Sequence, residues 1–250
     1  MVQLKGDAKQ RYVADMFSRI ADRYDLMNDL MTWGLHRRWK RQAARIAADG
    51  LAPDMTGGAL DVATGTGDLT LALARRPGVN RVVGVDLLPE MILLARSKTA
   101  AAGLTASIDH LTGDALALPF PVDSFACCVA GFSLRNMPND RGADGIQRAL
   151  AEMTRVVRPG GRVVTLEMTP MANPWFAPFF RLYFRRAVPL LGQIVAGNRA
   201  AYTYLPESVD YFPDARTLAG LFQNAGLLEV GFKTMGLGAV AVHWGVKPGN

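Results

Sequence analysis

Short apolar runs alternate with longer amphipathic stretches along most of the chain. Five runs rich in β-branched residues cover positions 59–63, 81–86, 107–112, 125–131 and 161–167. Helical patterns begin between or after these runs, near Asp68, Pro89, Gly142 and Asp214. Strands that alternate with helices form parallel sheets. The pattern therefore predicts an α/β fold with a mostly parallel sheet.

The last part of the chain follows a different pattern. Apolar runs at 227–235 and 238–246 are separated by only a few residues, which include Gly236. A connection this short favours an antiparallel hairpin. We predict that the hairpin closes one edge of the sheet, which would then have seven strands.

Two segments lie outside the alternation, and we place both in a single domain over residues 1–250. Residues 8–50 have a helical pattern, and we expect them to cover the sheet. Residues 168–206 form an insertion. Our hypothesis is that it forms a lid, with its arginines facing solvent or anionic headgroups. The alternative is that its aromatic residues belong to the core. These residues are Trp175, Phe176, Phe179, Phe180, Tyr183 and Phe184, with Arg181, Arg185 and Arg186.

Composition narrows the functional classes. The chain has 250 residues, is 50% hydrophobic and carries a net charge of +6. This excess is modest and concentrated at 36–41 and 180–186, a pattern typical of solvated faces, so we expect no nucleic-acid partner. Cys127 and Cys128 are adjacent in an apolar run and are predicted to be reduced core residues. No secretory signal or membrane-spanning run is visible, so we expect a cytoplasmic protein.

The stretch LDVATGTGDLT, residues 60–70, is poor in bulky side chains. Small residues at a loop let a ligand approach the backbone closely. A dinucleotide fingerprint fits poorly, because Thr70 stands where its third small residue belongs. Small residues instead follow an acid at every second position, and Thr66 lies between the glycines. The series is Asp61, Ala63, Gly65 and Gly67.

Further acids follow at the ends of later strands. Asp86 and Leu87 end the second run, Asp114 and Ala115 follow the third, and Gly131 ends the fourth. The stretch RVVRPGGRVV, residues 155–164, turns from a helix directly into a strand. In this order and spacing, the motifs resemble those of class I methyltransferases that use S-adenosylmethionine (SAM), which have a Rossmann-like fold.

The resemblance implies a role for each motif. The Asp61 carboxylate would attract the SAM ammonium group, directly or through water, while Asp86 would accept both ribose hydroxyls. Asp114 would hold the adenine amino group, and Ala115 would supply a backbone contact. We expect no metal ion.

Three further stretches resemble one methyltransferase family in particular. They are residues 17–41, GFSLRNMP at 131–138 and YTYLPESVDYFP at 202–213. All three are similar to the menaquinone/ubiquinone biosynthesis C-methyltransferases (MenG/UbiE), and the resemblance runs from about residue 17 to 247. Ser133 departs from the pattern, since the family usually has glycine there.

The family resemblance implies methylation of a ring carbon on a polyprenylated quinol. GFSLRNMP and LYFRRAVPLLGQ favour demethylmenaquinol as the acceptor. The ubiquinone-pathway quinol, another small phenolic metabolite and a SAM-binding protein without turnover remain alternatives. Peripheral contact with the inner face of the membrane and an oligomeric state are further hypotheses.

Ring methylation requires the electron-rich reduced quinol, so a cation or base near the phenol would help. Arg135 remains protonated and is expected to stabilise a phenolate rather than accept a proton. Asn136 would orient the hydroxyl or a water, and Asp25 or His243 would take the proton; Tyr24 and Asn28 lie near Asp25 on a covering helix. Alternatively, Arg135 and Asn136 fix the turn, Asp25 and Asn28 cap helices, and His243 is a core residue.

Overall fold

One seven-stranded sheet organises the protein. The computed structural model describes residues 6–49, 51, 57–138, 143–171, 173 and 175–249. Within these residues the strand order is β3-β2-β1-β4-β5-β7-β6. The strands are β1 (Gly57–Val62), β2 (Val79–Asp86), β3 (Ile108–Thr112), β4 (Phe125–Gly131), β5 (Val157–Met168), β6 (Leu228–Met235) and β7 (Val240–Val246).

Strand directions confirm the predicted topology. β1 pairs in parallel with β2 and β4, β2 with β3, and β4 with β5. β7 is antiparallel to both β5 and β6, as predicted for the terminal hairpin. The chain order reverses on either side of β1, and ligands of open α/β sheets bind at such a point, beyond the carboxyl ends of the strands.

Helices cover both faces of the sheet. They are α1 (Gly6–Ile20), α2 (Tyr24–Thr32), α3 (Leu35–Asp49), α4 (Asp68–Ala74), α5 (Pro89–Ala101), α6 (Asp144–Val156), α7 (Ala177–Leu182), α8 (Val188–Ala196), α9 (Arg199–Asp210) and α10 (Ala215–Asn224). The starts of α4 and α5 match the sequence prediction. Asp214 caps α10, because its side chain accepts a hydrogen bond from the Thr217 backbone N–H at 2.7 Å. Gly142 lies outside the described residues.

The core has one apolar cluster on each side of the sheet. Cys128 packs in the cluster that contains α6 and α10, and Cys127 packs in the cluster that contains α3 and α4. Both thiols are free and fully buried, which confirms the predicted reduced core residues. Burial raises the pKa of the Cys127 thiol to about 12, so this thiol stays protonated at neutral pH.

The Pro-Gly-Gly stretch at residues 159–161 does not separate helix α6 from strand β5. Helix α6 ends at Val156 and β5 begins at the next residue, so the turn lies within an irregular start of β5. Gly160 has φ +78°, in the left-handed region, and a Cβ on Gly161 would lie 2.5 Å from the Ala126 carbonyl oxygen. Glycines are therefore needed here so that the strand can pair with β4 while it bends.

The N-terminal helices and the insertion pack against each other. Met16 and Met27 of the N-terminal segment share an apolar cluster with Phe184 and Tyr202 of the insertion. Between α7 and α8 the chain forms a π-helical turn at Tyr183–Ala187. Residues 50, 172 and 174 lie outside the described residues. No helix in the described ranges is long and apolar enough to cross a membrane.

The predicted boundary of the insertion at residue 206 falls inside a helix. Pro206 lies inside α9, which continues to Asp210. Helix α8 packs closely on α9, since a Cβ on Gly192 would lie only 2.2 Å from Cδ2 of Tyr202. The absence of a side chain at Gly192 therefore permits the contact between these two helices.

We predict that Gly192→Ala lowers the free energy of unfolding by about 1–3 kcal/mol, because the methyl group would overlap the Tyr202 ring. The matched control is Gly220→Ala in α10, where nothing lies within 4 Å of the new Cβ. That change should instead stabilise the protein by about 0.5–1 kcal/mol. Urea unfolding monitored by circular dichroism measures both changes, and equal effects would contradict the proposed contact.

Candidate functional site: a glycine-loop cleft beside an apolar cavity

A cleft lies at the carboxyl ends of β1 to β4, and we call it the glycine-loop cleft. It contains most of the residues predicted to bind the cofactor. Those that line it are Ala63, Gly65, Asp86, Leu87, Asp114, Ala115 and Gly131. The parallel topology thus brings together the ends of four strands that are distant in sequence.

The loop after β1 follows a tight path. Ala63, Gly65 and Gly67 all have positive φ, at 54°, 55° and 85°. A Cβ on Gly67 would lie 3.1 Å from the Ala95 Cβ, so the loop passes close to α5. The Gly65 N–H donates to Oδ2 of Asp86 at 2.8 Å. The small residues therefore let the loop turn tightly at the end of β1.

Asp86 and Asp114 present carboxylates to the cleft while bonding to the backbone. Oδ1 of Asp86 accepts the Leu88 N–H at 3.0 Å, and Oδ1 of Asp114 accepts the Leu116 N–H at 2.9 Å. Burial raises the pKa of Asp86, although hydrogen bonds from the backbone N–H groups of Leu88, Gly65 and Leu87 oppose the shift. Because a carboxylate oxygen can accept more than one hydrogen bond, both carboxylates can still accept hydrogen bonds from a ligand.

Asp61 and Thr66 belong to the predicted cofactor motif, and their side chains bond to other parts of the protein. Asp61 is buried beneath the loop, where its Oδ2 accepts the Thr64 and Thr70 hydroxyls, both at 2.7 Å. Burial raises its pKa to about 6. Neither Asp61 nor Thr66 is among the described residues that line the cleft. Asp61 therefore holds the loop from below, while its Oδ1 has no hydrogen-bond partner among the described residues. Its contact with a ligand ammonium group, directly or through water, stays a prediction.

The Thr66 side chain points toward α2. This helix belongs to the N-terminal helices α1 to α3, which we call the cover. The Thr66 hydroxyl donates to Oδ1 of Asp25 on α2 at 2.7 Å. Lys98 on α5 lies within 2.6 Å of Oδ2 of Asp25 and donates to the Thr66 hydroxyl at 2.9 Å. Lys98 also pairs with Asp68 at 2.6 Å. Both Asp25 oxygens are therefore engaged, and they link α2 to the loop.

Helix α1 lies over the glycine-loop cleft. Lys9 donates to the backbone carbonyls of Arg135 and Met137 at 3.1 and 2.8 Å, and Gln10 donates to Asp114 at 3.4 Å. Burial, followed by repulsion from Arg135, lowers the pKa of Lys9 to about 8. These contacts fasten the cover across the ends of β3 and β4.

A second space, the apolar cavity, lies between the cover, the insertion and the sheet. It encloses about 530 Å³. Tyr24 and Phe17 of the cover and Phe132 after β4 line both this cavity and the glycine-loop cleft. The two spaces therefore meet at these three rings.

Residues of the acceptor-side signature lie around this meeting point. Arg135 and Asn28 line the apolar cavity, and Asn136 and Ser133 line the glycine-loop cleft. Tyr204 lies 3.4 Å from the Asn136 side-chain oxygen. Ser133 has φ −119°, an ordinary value, so serine is accommodated where the family usually has glycine.

Arg135 is buried beside a second charge. Its guanidinium donates to the Phe132 carbonyl and lies 3.9 Å from Oε2 of Glu167, which is fully buried at the end of β5. Oε1 of Glu167 accepts the Ser133 and Leu134 N–H groups at 2.6 and 2.7 Å. Burial raises the pKa of Glu167 to about 7, against the opposing effect of Arg135.

His243 lies in the core on β7. Its Nε2 is 2.8 Å from the Ala215 carbonyl oxygen, and its ring stacks on Phe232 with centroids 5.4 Å apart. Burial lowers its pKa to about 4, so the imidazole is neutral. Among the described residues, His243 is not one that lines either space. The geometry supports the core alternative.

The aromatic residues of the insertion divide into two groups. Phe180, Tyr183 and Phe184 line the apolar cavity. Trp175 and Phe179 are 83% and 73% exposed and face away from the packed core. Arg181, Arg185 and Arg186 are exposed, as expected, and Arg185 pairs with Asp210 at 2.5 Å. The insertion thus supplies one wall of the cavity and an exposed aromatic surface.

Sequence reasoning missed Glu167, Lys98 and Lys9. Glu167 had a visible signal, because an acid within the apolar run GRVVTLEM must find a partner if the strand is buried. Lys98 and Lys9 lie on helices with no motif, and their partners are remote in sequence. Lys9, for example, contacts Met137 across 128 positions.

Comparison with solved structures identifies the fold. The fold matches a SAM-dependent methyltransferase from Thermotoga maritima, described as a possible histamine N-methyltransferase, with TM-score 0.59, 19% identity and coverage of 94% of this chain and 99% of that one. It also matches a Haloferax volcanii putative methyltransferase complexed with its Trm112 activator, with TM-score 0.58, 19% identity, and 92% and 98% coverage. The fold is that of the SAM-dependent methyltransferases.

The chain belongs to the ubiE/COQ5 methyltransferase family, whose model matches residues 5–247. It is 46% identical to a demethylmenaquinone methyltransferase from Deinococcus radiodurans over 90% of this chain and 86% of that protein. A Thermus thermophilus protein of the same name is 42% identical, over 93% and 100%. The ubiquinone/menaquinone biosynthesis C-methyltransferase UbiE of Dinoroseobacter shibae is 37% identical, over 98% and 94%. The chain is thus a methyltransferase.

We predict that Lys98→Met weakens SAM binding about fivefold, on the order of 1 kcal/mol for a partly exposed ion pair. The substitution would release α2 from the Thr66 segment of the loop. Arg81→Met is the matched control, because its pair with Asp109 is mostly exposed and lies outside the site. Isothermal titration calorimetry measures both affinities. Equal SAM affinities in Lys98→Met and wild type would exclude the proposed link.

Proposed function

We propose that this protein transfers the methyl group of SAM to a ring carbon of a polyprenylated quinol, with demethylmenaquinol as the acceptor. The observation that carries the proposal is the meeting of the two spaces at Phe17, Tyr24 and Phe132. One space is suited to a polar nucleoside and the other to an apolar molecule. Their shared boundary would bring the two reactants together.

The glycine-loop cleft fits SAM chemically. Asp86 would accept ribose hydroxyls, Asp114 would accept the adenine amino group, and Ala63 and Gly65 would leave room beside the loop. When bound, SAM supplies a methyl group already activated by its sulfonium. The protein then needs mainly to align the acceptor and exclude water, which the covering helix α1 supports.

The apolar cavity suits the quinol. The aromatic rings at the meeting point would sandwich the quinol ring, and the apolar residues beyond them would surround the start of the isoprenoid tail. Arg135 lines this cavity and would stabilise the phenolate that makes the adjacent carbon nucleophilic. Asn136 lies beside it and would orient the hydroxyl or a bridging water.

Relatives favour the menaquinone acceptor. The Thermus thermophilus and Deinococcus radiodurans proteins, at 42% and 46% identity, both carry the name demethylmenaquinone methyltransferase. Several 37–41% relatives carry a name that covers both quinone pathways. Demethylmenaquinol is therefore the proposed acceptor, and the ubiquinone-pathway quinol is the second candidate.

We expect mass spectrometry to show faster methylation of reduced demethylmenaquinone than of the ubiquinone-pathway quinol, and no methylation of the oxidised quinone. Arg135→Met should lower kcat on the order of a hundredfold, because it removes a charge that stabilises the phenolate. SAM affinity should stay nearly unchanged. Arg158→Met is the control, since Arg158 contacts the Asp123 and Ser124 carbonyls at the other end of β5.

The outcomes separate the alternatives. Preference for the ubiquinone-pathway quinol would shift the proposed acceptor, and SAM binding without methylation of either quinol would overturn the acceptor proposal. Unchanged turnover in Arg135→Met would remove this residue from the mechanism.

The mouth of the apolar cavity supports a peripheral membrane contact as part of the same proposal. Trp33 and Leu237 line the cavity yet are 86% and 66% exposed, and both have left-handed backbone conformations. Both large apolar side chains face outward, although the left-handed backbone conformation is unfavourable for tryptophan and leucine. A tail leaving the cavity here would enter lipid directly if the mouth faced a bilayer.

We predict that Trp33→Asn combined with Leu237→Asn reduces co-flotation with anionic vesicles and slows turnover of long-tailed quinol in those vesicles. Turnover of a short-tailed, water-soluble quinol should remain unchanged. Asparagine tolerates the left-handed conformation, so the backbone is preserved. Leu93→Asn is the control, because Leu93 is 64% exposed on α5 and is not among the described cavity-lining residues. Equal flotation of both variants would contradict the membrane contact.

A further inference from the structure

Glu167 is a buried acid that the proposed function leaves without a role. It is the last residue but one of β5, beside the turn after β4, and its side chain is fully buried. A buried carboxylate costs free energy unless hydrogen bonds and a counter-charge compensate it. Both kinds of compensation are visible here, and both come from the turn that carries Arg135.

The first contact fixes the backbone of the turn. Oε1 of Glu167 accepts two adjacent N–H groups, from Ser133 at 2.6 Å and from Leu134 at 2.7 Å. The preceding residue, Phe132, has φ +59°, an unfavourable value for a phenylalanine. The carboxylate therefore helps to hold Phe132 in the conformation that places its ring at the meeting point of the two spaces.

The second contact is electrostatic. Oε2 of Glu167 lies 3.9 Å from the Arg135 guanidinium and has no hydrogen-bond partner among the described residues. Nε of Arg135 is likewise buried without a hydrogen-bond partner among them. Among the described residues, Lys9 also lies close to Arg135 and donates to its backbone carbonyl. Arg135 is thus the positive charge that faces the buried Glu167 carboxylate at this turn.

We infer that Glu167 is a positioning residue, whose ionised carboxylate holds Arg135 and its turn in the geometry that receives the quinol. This inference rests on the proposed function, because it concerns the acceptor side of the same site. When Glu167 is protonated, the attraction between the two side chains is lost and Oε1 becomes a weaker acceptor for the turn. Arg135 would then be held less firmly in its position beside the quinol.

Glu167→Gln is the decisive variant, because glutamine keeps the size and one acceptor oxygen while removing the charge. Burial raises the pKa of the Glu167 carboxyl to about 7, so wild type carries the charge above that pH and loses it below. We expect kcat of Glu167→Gln to be at least about tenfold below that of wild type at pH 8.5. This loss is smaller than the loss on removing a charge that contacts the reacting group, because Glu167 acts through Arg135. The ratio of the two kcat values should approach one at pH 5.5.

Thr165→Val is the matched control. Thr165 lies two positions earlier on the same strand and is also fully buried, and its hydroxyl has no hydrogen-bond partner among the described residues. The ratio of the kcat of Thr165→Val to that of wild type should not change with pH. A purely structural role for Glu167 would lower kcat by the same factor at every pH, and that result would overturn the inference.

A second measurement does not depend on turnover or on the folding of Glu167→Gln. Infrared difference spectra of the intact protein should show a protonated-carboxyl C=O band in wild type that titrates with a midpoint near pH 7. In Arg135→Met the midpoint should rise, because the nearby positive charge is lost. An unchanged midpoint would exclude the coupling between these side chains.

The two proposals fail in different ways. If wild type does not methylate either quinol, the proposed function fails, whatever the infrared result. If wild type is active but Glu167→Gln equals it at pH 8.5, the function stands and the role of Glu167 is wrong. SAM affinity, measured by calorimetry, should be the same in Glu167→Gln and wild type.

Discussion

Methyl transfer requires the acceptor carbon to lie in line with the breaking S–C bond, so two binding spaces must meet at one defined place. In this protein the glycine-loop cleft and the apolar cavity meet at Phe17, Tyr24 and Phe132. Two of these rings belong to the N-terminal cover, and the third belongs to the turn after β4. The relative positions of cover and turn therefore determine the geometry in which the proposed reaction would take place.

Buried carboxylates at strand ends hold the loops around this place. Asp86 at the end of β2 accepts from Gly65 in the loop after β1, and Glu167 at the end of β5 accepts from the turn after β4. Asp61 accepts two hydroxyls from its own loop. Asp86 and Glu167 thus accept hydrogen bonds from backbone N–H groups where regular strand pairing ends. These hydrogen bonds hold the loops in the positions that form the site.

The sequence predicted the fold closely because its signals were local. Alternating apolar runs located the strands, and Asp214 located a helix start through its capping side chain. Pro206, at the predicted end of the insertion, is accommodated inside α9, where local rules favour a break. The π-helical turn at Tyr183–Ala187 had no recognisable local signal either.

The site was predictable only in part. Strand-end position indicated which residues gather at the cleft, but it did not show which way each side chain points. Asp61 faces under the loop and Thr66 faces the cover, although both belong to the recognised motif. The pairs Lys98 with Asp25 and Glu167 with Arg135 join elements distant in sequence, so only the packed structure reveals them.

The central claim is that the acceptor ring lies where the two spaces meet, and a crystal structure of a ternary complex tests it most directly. The complex would contain S-adenosylhomocysteine and a short-tailed demethylmenaquinol. We predict that the quinol ring contacts Phe17, Tyr24 and Phe132, with its oxygen near Arg135 and its tail directed toward Trp33 and Leu237. A quinol ring bound outside this junction, with the nucleoside in the glycine-loop cleft, would contradict the account.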